Sequence, residues 1–402
     1  LLVVHGRTAA AAARLREALP TLRVVAADPG AAATLGVACL GDVAPANAPL
    51  RTHAALGDVH TIVYTSGTTG RPKGAMLTVG NHWWSAVGSA LNLGVAPDDR
   101  WLACLPLFHV GGQAIVLRAA IYGITAVVHD GFDADAVSRA IDEEGVTHVS
   151  LVAATLQRLL DARADRPVPP TLRCVLLGGG PAPRPLLERC ARLGIPVVQT
   201  YGLTETASQV ATLAPEDALR RLGSAGRPLY PNALRIADEA GHDLPAGEPG
   251  EILVRGPVVT AGYAGRPDDT ARVLAGGWLH TGDVGRLDDD GYLHVLDRRD
   301  DLIVTGGENV YPAEVEAALL AHPAVAEAGV VGVADERWGA RVVAVVRARD
   351  DAVTDAETLR THCRTLLGGY KVPAEIRLVD TPLPRTASGK LRRAELRARW
   401  EP

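Results

Sequence analysis

Short apolar runs alternate with amphipathic stretches along the first half of the chain. The alternation predicts strands over residues 22–27, 59–64, 124–129, 147–152, 172–177 and 196–199. Between them it predicts helices over 14–19, 81–93, 133–144, 155–162 and 185–193. Strands that take turns with helices build an α/β domain of mainly parallel sheets with flanking helices. Beyond about Gly223 the runs shorten to strands at 251–255, 285–287 and 292–296, with an Asp-Asp-Asp-Gly turn at 288–291. A β-rich subdomain is therefore expected over about 223–297, closing a large domain of residues 1–297. Residues 298–402 read as a small α+β unit, with helices at 312–321 and 355–367 and strands at 325–333 and 341–346. Pro312 fits the first turn of its helix, where no amide hydrogen is needed.

The 402 residues are 47% hydrophobic and 22% charged, ample material for a core. The net charge of −5 argues against a general nucleic-acid binder, whose affinity rests on a basic surface. It leaves room for anionic small molecules in a local cationic pocket. No apolar run reaches the roughly 18 residues of a membrane span, and the opening residues lack a secretory pattern. The five cysteines (Cys39, Cys104, Cys174, Cys190, Cys363) form no CxxC pair, so a reducing cytoplasm is expected. Of 41 basic residues only Lys73, Lys371 and Lys390 are lysine. Where arginine serves everywhere else, a surviving lysine suggests a task for a compact point charge.

One of the three sits in Thr65-Ser-Gly-Thr-Thr-Gly-Arg-Pro-Lys-Gly74. The glycines let backbone amides curl around an anion, the hydroxyls add donors, and Lys73 adds an ammonium. The loop follows an apolar strand, as a phosphate-gripping loop does. It is not a Walker A loop, because Pro72 stands where the second glycine belongs.

This loop resembles the signature of the adenylate-forming superfamily of acyl-CoA synthetases, peptide-synthetase adenylation domains and luciferases. Further motifs follow in order: Pro106–Gly112 around His109, Gly178-Gly-Gly-Pro181, Tyr201-Gly-Leu-Thr-Glu-Thr206, Thr281-Gly-Asp283, Arg298–Ile303 with Gly306–Asn309, and Pro384–Lys390. The resemblance implies ATP, Mg²⁺ and coenzyme A as cofactor and co-substrates, and a mobile C-terminal lid. It implies that Thr65, Ser66, Gly67, Thr68, Thr69, Gly70 and Lys73 grip phosphates, and that Gly179, Gly180, Tyr201 and Gly202 receive adenine. Asp283 and Arg298 would hold the ribose side, Thr204 the α-phosphate and Glu205 the Mg²⁺. Asp300 would be the hinge, Lys390 the adenylation catalyst, and Gly306 with Gly307 the lining of a pantetheine tunnel. For Lys371 a structural ion pair is expected.

The segment 81–94 (NHWWSAVGSALNLG), with Phe108-His109, Arg118–Gly123 and Tyr201–Gln209, is most similar to the o-succinylbenzoate–CoA ligases of menaquinone biosynthesis. That acid is a dicarboxylate, and its aryl carboxylate needs a positive partner in the acyl pocket. Arg118, nine residues beyond His109, is the expected partner, with His109 at the reacting carboxyl. Another aryl- or acyl-CoA ligase, a carrier-loading adenylation domain and a non-catalytic nucleotide-binding remnant stay open. Only 64 residues precede Thr65, fewer than the resemblance implies, so a start inside the N-terminal domain is expected. A homo-oligomer is a family-based expectation.

Overall fold

The computed structural model describes residues 1–43, 52–65, 72–164, 166–180, 182–218, 220–298, 301–306, 308–350, 352–386 and 389–400, the side chains of 297 and 298 excepted. It divides into two compact units, Leu1–Ala54 and Ala55–Pro402. In the first, strand Leu2–Val4 pairs in parallel with Val24–Ala26, and helices Ala9–Ala18 and Pro29–Leu35 accompany them. Asp28 caps the second helix by accepting from the Ala31 amide.

The second unit is built on a seven-stranded sheet. In spatial order its strands are Arg227–Pro228, Ala211–Thr212, Val197–Tyr201, Cys174–Leu177, His148–Leu151, Arg100–Ala103 and Thr125–Val128. The last five run parallel, and the first two pair antiparallel at one edge. Helices Ala134–Glu143, Ala153–Arg163 and Arg184–Arg192 bury leucine, isoleucine and valine side chains against these strands. The strand interiors are almost wholly apolar because both faces are covered. The pattern missed strand Arg100–Ala103, whose Arg-Trp-Leu-Ala run is too short and mixed to stand out.

A four-stranded antiparallel sheet follows, in the order Ala233–Ala237, Gly250–Arg255, Leu279–Leu287 and Leu293–Arg298. The third strand is longer than the 285–287 expected, since it continues across an irregularity at Thr281-Gly-Asp283, where its register with Gly250–Arg255 shifts. Strand Val59–Thr65 turns back as an antiparallel hairpin with Lys73–Thr78. The anion loop is thus flanked by two strands, and helix Val79–Leu93 begins only after the second, capped by Thr78 and Asn81.

Beyond Asp301 lie the hairpin Ile303–Thr305 with Glu308–Val310, helix Pro312–Leu320, the long hairpin Val325–Asp335 with Gly339–Ala348, helix Ala356–Leu366, strand Glu375–Val379 and helix Arg393–Arg397. Most of their apolar faces share one cluster around Val315, Val330, Val346 and Leu359, and the last helix packs Leu396 on the other face of the long hairpin with Val331, Val343 and Val345. Lys371 makes the expected ion pair, 2.8 Å from Glu314. Among the described residues no helix is long and apolar enough to cross a membrane.

The last helix is held by a buried carboxylate. Glu316 accepts from the Val330 amide at 3.0 Å, and its two oxygens share Nη2 of Arg393 at 2.9 and 3.0 Å, while Nη1 of Arg393 donates to Asp301 at 3.3 Å. Removing one partner of such a pair strands a buried charge. Arg393→Ala should therefore cost about 3 kcal/mol of local stability. Lost hydrogen-exchange protection at the Val330 amide reads this, and unchanged protection would mean the pair holds nothing.

Candidate active site

Four neighbouring parallel strands deliver their carboxyl ends to one edge of the sheet. Arg100–Ala103 leads to the His109 segment, His148–Leu151 to Val152, Cys174–Leu177 to Gly178-Gly179-Gly180, and Val197–Tyr201 ends on Tyr201 itself. In open α/β sheets this is the edge where ligands bind. The lysine loop of the last segment docks there. A Cβ on Gly389 would lie 3.1 Å from Val152 Cγ2, and one on Gly179 would lie 3.1 Å from Val152 Cγ1. Both glycines have positive φ, +83° and +81°, so each suits its turn and its close approach.

Lys390 follows Gly389, and its charge is felt by His109. The imidazole of His109 is held below its usual value, first by burial and then by the nearby Lys390 ammonium. His109 caps helix Val110–Tyr122, and its Nε2 is buried without a hydrogen-bond partner among the described residues. Gln113 Oε1, one helical turn on, is buried and unpartnered as well. Sequence reasoning passed over Gln113, because a lone glutamine in a helix carries no pattern.

Arg118 lies on the helix that His109 begins, nine residues or about 13 Å further along it. Its guanidinium is 2% exposed, donates to Ser85 Oγ at 3.0 Å and lies 5.7 Å from the Trp101 ring centre. No described carboxylate pairs with it, and its Nε is unpartnered among the described residues.

Across the edge, Tyr201 donates its hydroxyl to Asp283 Oδ2 at 2.8 Å, and both residues are buried. Thr204 and Glu205 occupy a single helical turn, Thr204–Thr206, just beyond. Glu205 Oε1 accepts the Tyr263 hydroxyl at 2.8 Å. Lys73 is buried at the start of its strand, 3.0 Å from Asp269 Oδ1 and 5.5 Å from the centre of the Tyr263 ring. Thr65 faces Lys73 across the hairpin. Tyr263 and Asp269 are polar partners that sequence reasoning did not find. Gly202 is exposed beside the Thr204 turn, and Gly180 has open space around it.

Among the described residues no three acidic, histidine or cysteine side chains gather to hold a metal. A single carboxylate such as Glu205 suits Mg²⁺, which keeps water and phosphate oxygens as most of its ligands. Gly306 lines a cavity of about 330 Å³ with Thr305, Glu308, Trp338, Arg341 and Tyr370. Ser66, Gly67, Thr68, Thr69, Gly70, Asp300 and Gly307 lie outside the described residues, as does the side chain of Arg298. The backbone of Arg298 pairs with Asp283 across the four-stranded sheet.

This arrangement has close counterparts. The family described as AMP-binding enzyme matches residues 2–264, and the AMP-binding enzyme C-terminal domain matches 314–390. The chain belongs to the AMP-binding enzyme family. A 2-succinylbenzoate–CoA ligase of Geobacillus kaustophilus is 57% identical over 85% of this chain and 69% of its own length. The o-succinylbenzoate CoA synthetase of Bacillus subtilis, solved with its acyl-adenylate intermediate, superimposes with a TM-score of 0.86 at 43% identity, covering 96% of this chain and 76% of that one. An amide bond synthetase of Marinactinospora thermotolerans superimposes with a TM-score of 0.88 at 34% identity over 99% of this chain and 80% of that one. Within the AMP-binding enzyme family, then, the fold alone does not choose the final acceptor.

The neighbourhood of Lys390 and His109 is open to direct test. Lys390→Ala removes a positive charge that disfavours the imidazolium, so the His109 pKa should rise. It should stay below the ordinary value, because burial is the larger cause. An NMR titration of the imidazole checks this, and an unmoved pKa would place the ammonium elsewhere.

Proposed function

We propose that this chain is an ATP-dependent carboxylate–CoA ligase that activates 2-succinylbenzoate in the cytoplasm, within menaquinone biosynthesis. A carboxylate oxygen attacks the α-phosphorus of ATP, the bond to the bridging oxygen breaks, and pyrophosphate leaves. The thiol of coenzyme A then gives up its proton and attacks the acyl carbon, and AMP leaves with the bonding pair.

The observation that carries this reading is the lysine loop seated against Val152, with the Lys390 charge acting on His109. The first step brings two anions together, so cations fixed where they meet are the chief catalytic demand. Lys390 would bridge the acid and the α-phosphate, and Lys73 would meet the phosphates. Mg²⁺ supplies further charge neutralisation when bound, with Glu205 as its protein ligand. Thr204 would donate to the α-phosphate. Asp283, braced by Tyr201, would take the ribose, and Gly179 and Gly180 would let the backbone approach the base. His109 and Gln113 offer unsatisfied polar atoms to the reacting end of the acid. For the second step residues 298–402 would turn as a lid about Asp300, bringing the Gly306 cavity to the pantetheine arm.

The aryl carboxylate is assigned to Arg118. A guanidinium buried with no described acid beside it is costly, and an anion brought in by the substrate would offset that cost. Its bond to Ser85 and its place against Trp101 favour a second reading, a strut between helices Val79–Leu93 and Val110–Tyr122.

Folded protein supplied with 2-succinylbenzoate, ATP, Mg²⁺ and coenzyme A should yield AMP and the CoA thioester by mass spectrometry, much faster than with benzoate or a fatty acid. Adenylate without thioester would assign another acceptor, and turnover of a different acid would overturn the substrate. Arg118→Ala should raise KM for the acid roughly 10–100-fold, the worth of a charged hydrogen bond, with KM for ATP unchanged. An unchanged KM for the acid with a lowered melting temperature would make Arg118 the strut.

A further inference from the structure

The Lys73 ammonium and the Glu205 carboxylate meet the same short segment, residues 260–264, and its following turn. The segment is hydrogen-bonded on both sides. On one, Met76 donates to the Gly262 carbonyl at 2.8 Å, Ala261 to the Met76 carbonyl at 3.0 Å, and Ala264 to the Gly74 carbonyl at 2.9 Å. On the other, the Thr260 amide donates to the Glu205 carbonyl at 2.8 Å. The segment is therefore fastened to the strand that starts with Lys73 and to the turn that carries Glu205.

Tyr263, in its middle, is 8% exposed and reaches both functional groups with one side chain. Its ring lies 5.5 Å from the Lys73 ammonium, and its hydroxyl donates to Glu205 Oε1 at 2.8 Å. The Tyr263 amide is itself held by Thr270 Oγ1 at 2.9 Å. Thr270 belongs to helix Pro267–Val273, which also carries Asp269. Asp269 accepts from Lys73 at 3.0 Å and pairs with Arg272 and, at 3.7 Å, with Arg266.

We propose that Tyr263 and Asp269 are positioning residues for the first half-reaction: Tyr263 aims the Glu205 carboxylate at the metal, and Asp269 holds Lys73 as a counter-ion that the phosphates of ATP displace. The proposal rests on the reading of Glu205 and Lys73 given above. A carboxylate with one oxygen fixed by a neutral donor presents the other in a defined direction. Such partners behind a metal ligand are commonly worth 10–100-fold in metal affinity. Asp269 does the opposite for the nucleotide. It keeps a buried ammonium paired while the site is empty, and it competes with the incoming phosphates for the same charge.

The two roles separate by measurement on the intact chain. Calorimetry of a non-hydrolysable ATP analogue without metal reads the Lys73 side, and Mn²⁺ titration of the protein–analogue complex, followed by paramagnetic resonance, reads the Glu205 side. Tyr263→Phe keeps the ring and removes the hydroxyl, so Mn²⁺ affinity should fall about 10–100-fold while metal-free analogue affinity stays within about twofold. Asp269→Asn should tighten metal-free analogue binding several-fold and leave Mn²⁺ affinity alone, with Asp269→Ser as the second variant should the first not fold. Unchanged Mn²⁺ affinity in folded Tyr263→Phe, or unchanged or weaker analogue binding in a folded Asp269 variant, overturns the proposal. Glu205→Gln tells the two levels apart. If it weakens Mn²⁺ binding and Tyr263→Phe does not, only the positioning role fails. If it has no effect, the metal reading of Glu205 fails and the proposal fails with it.

Discussion

Everything at the candidate site depends on the parallel pairing of four strands. Parallel strands must each be followed by a crossover, so their carboxyl ends gather on one edge with loops free to differ. That edge receives the His109 segment, Val152, the Gly178–Gly180 turn and Tyr201 from segments spread over the middle of the chain. A one-residue slip in register would turn each strand-end side chain to the other face. The continuous burial of Cys174–Leu177 and His148–Leu151 leaves little freedom for such a slip. Packing of apolar side chains thus determines where the polar chemistry can occur.

Charge is then distributed with economy. The described contacts of the two lysines at this edge differ in kind. Lys73 is buried and paired with a carboxylate, while Lys390 is exposed at the end of a glycine turn. An ammonium already paired inside the protein is pre-oriented, and its partner offsets part of the cost of burying it. One carried on an exposed turn can enter and leave. The proposed two-step reaction would use both, one charge held on the phosphates and one that leaves the carboxyl group after the first step.

Much of this was legible in the sequence, and the limits have physical causes. Alternating apolar runs located four of the five parallel strands to within a residue or two, because burial on both faces writes an apolar signature, and Arg100–Ala103 escaped because its run is short and mixed. Local motifs were legible because a turn, a cap or an anion loop is made by neighbours in the chain. Asp269 escaped notice because it reaches Lys73 across 196 residues, and Tyr263 because it reaches Glu205 across 58. With 46 acidic residues in the chain, nothing local marks one aspartate as the partner of a particular lysine. Arg118 shows the converse. Its residue type singled it out in the sequence, but its burial, its bond to Ser85 and its place against Trp101 are visible only in the fold.

The contact of Val152 with Gly179 and Gly389 has a mechanical consequence. One isopropyl group lies so close to the strand-end turn and the lysine loop that a Cβ on either glycine would come within 3.1 Å of one of its methyls. Van der Waals contact of that size is worth only tenths of a kilocalorie per atom pair, and it has no directionality. It therefore acts as a doorstop rather than a latch, bounding how closely the lysine loop approaches the strand-end turn and, on the proposed lid motion, leaving its withdrawal unopposed. The seat of the lysine loop is thus gauged by the girth of one apolar side chain.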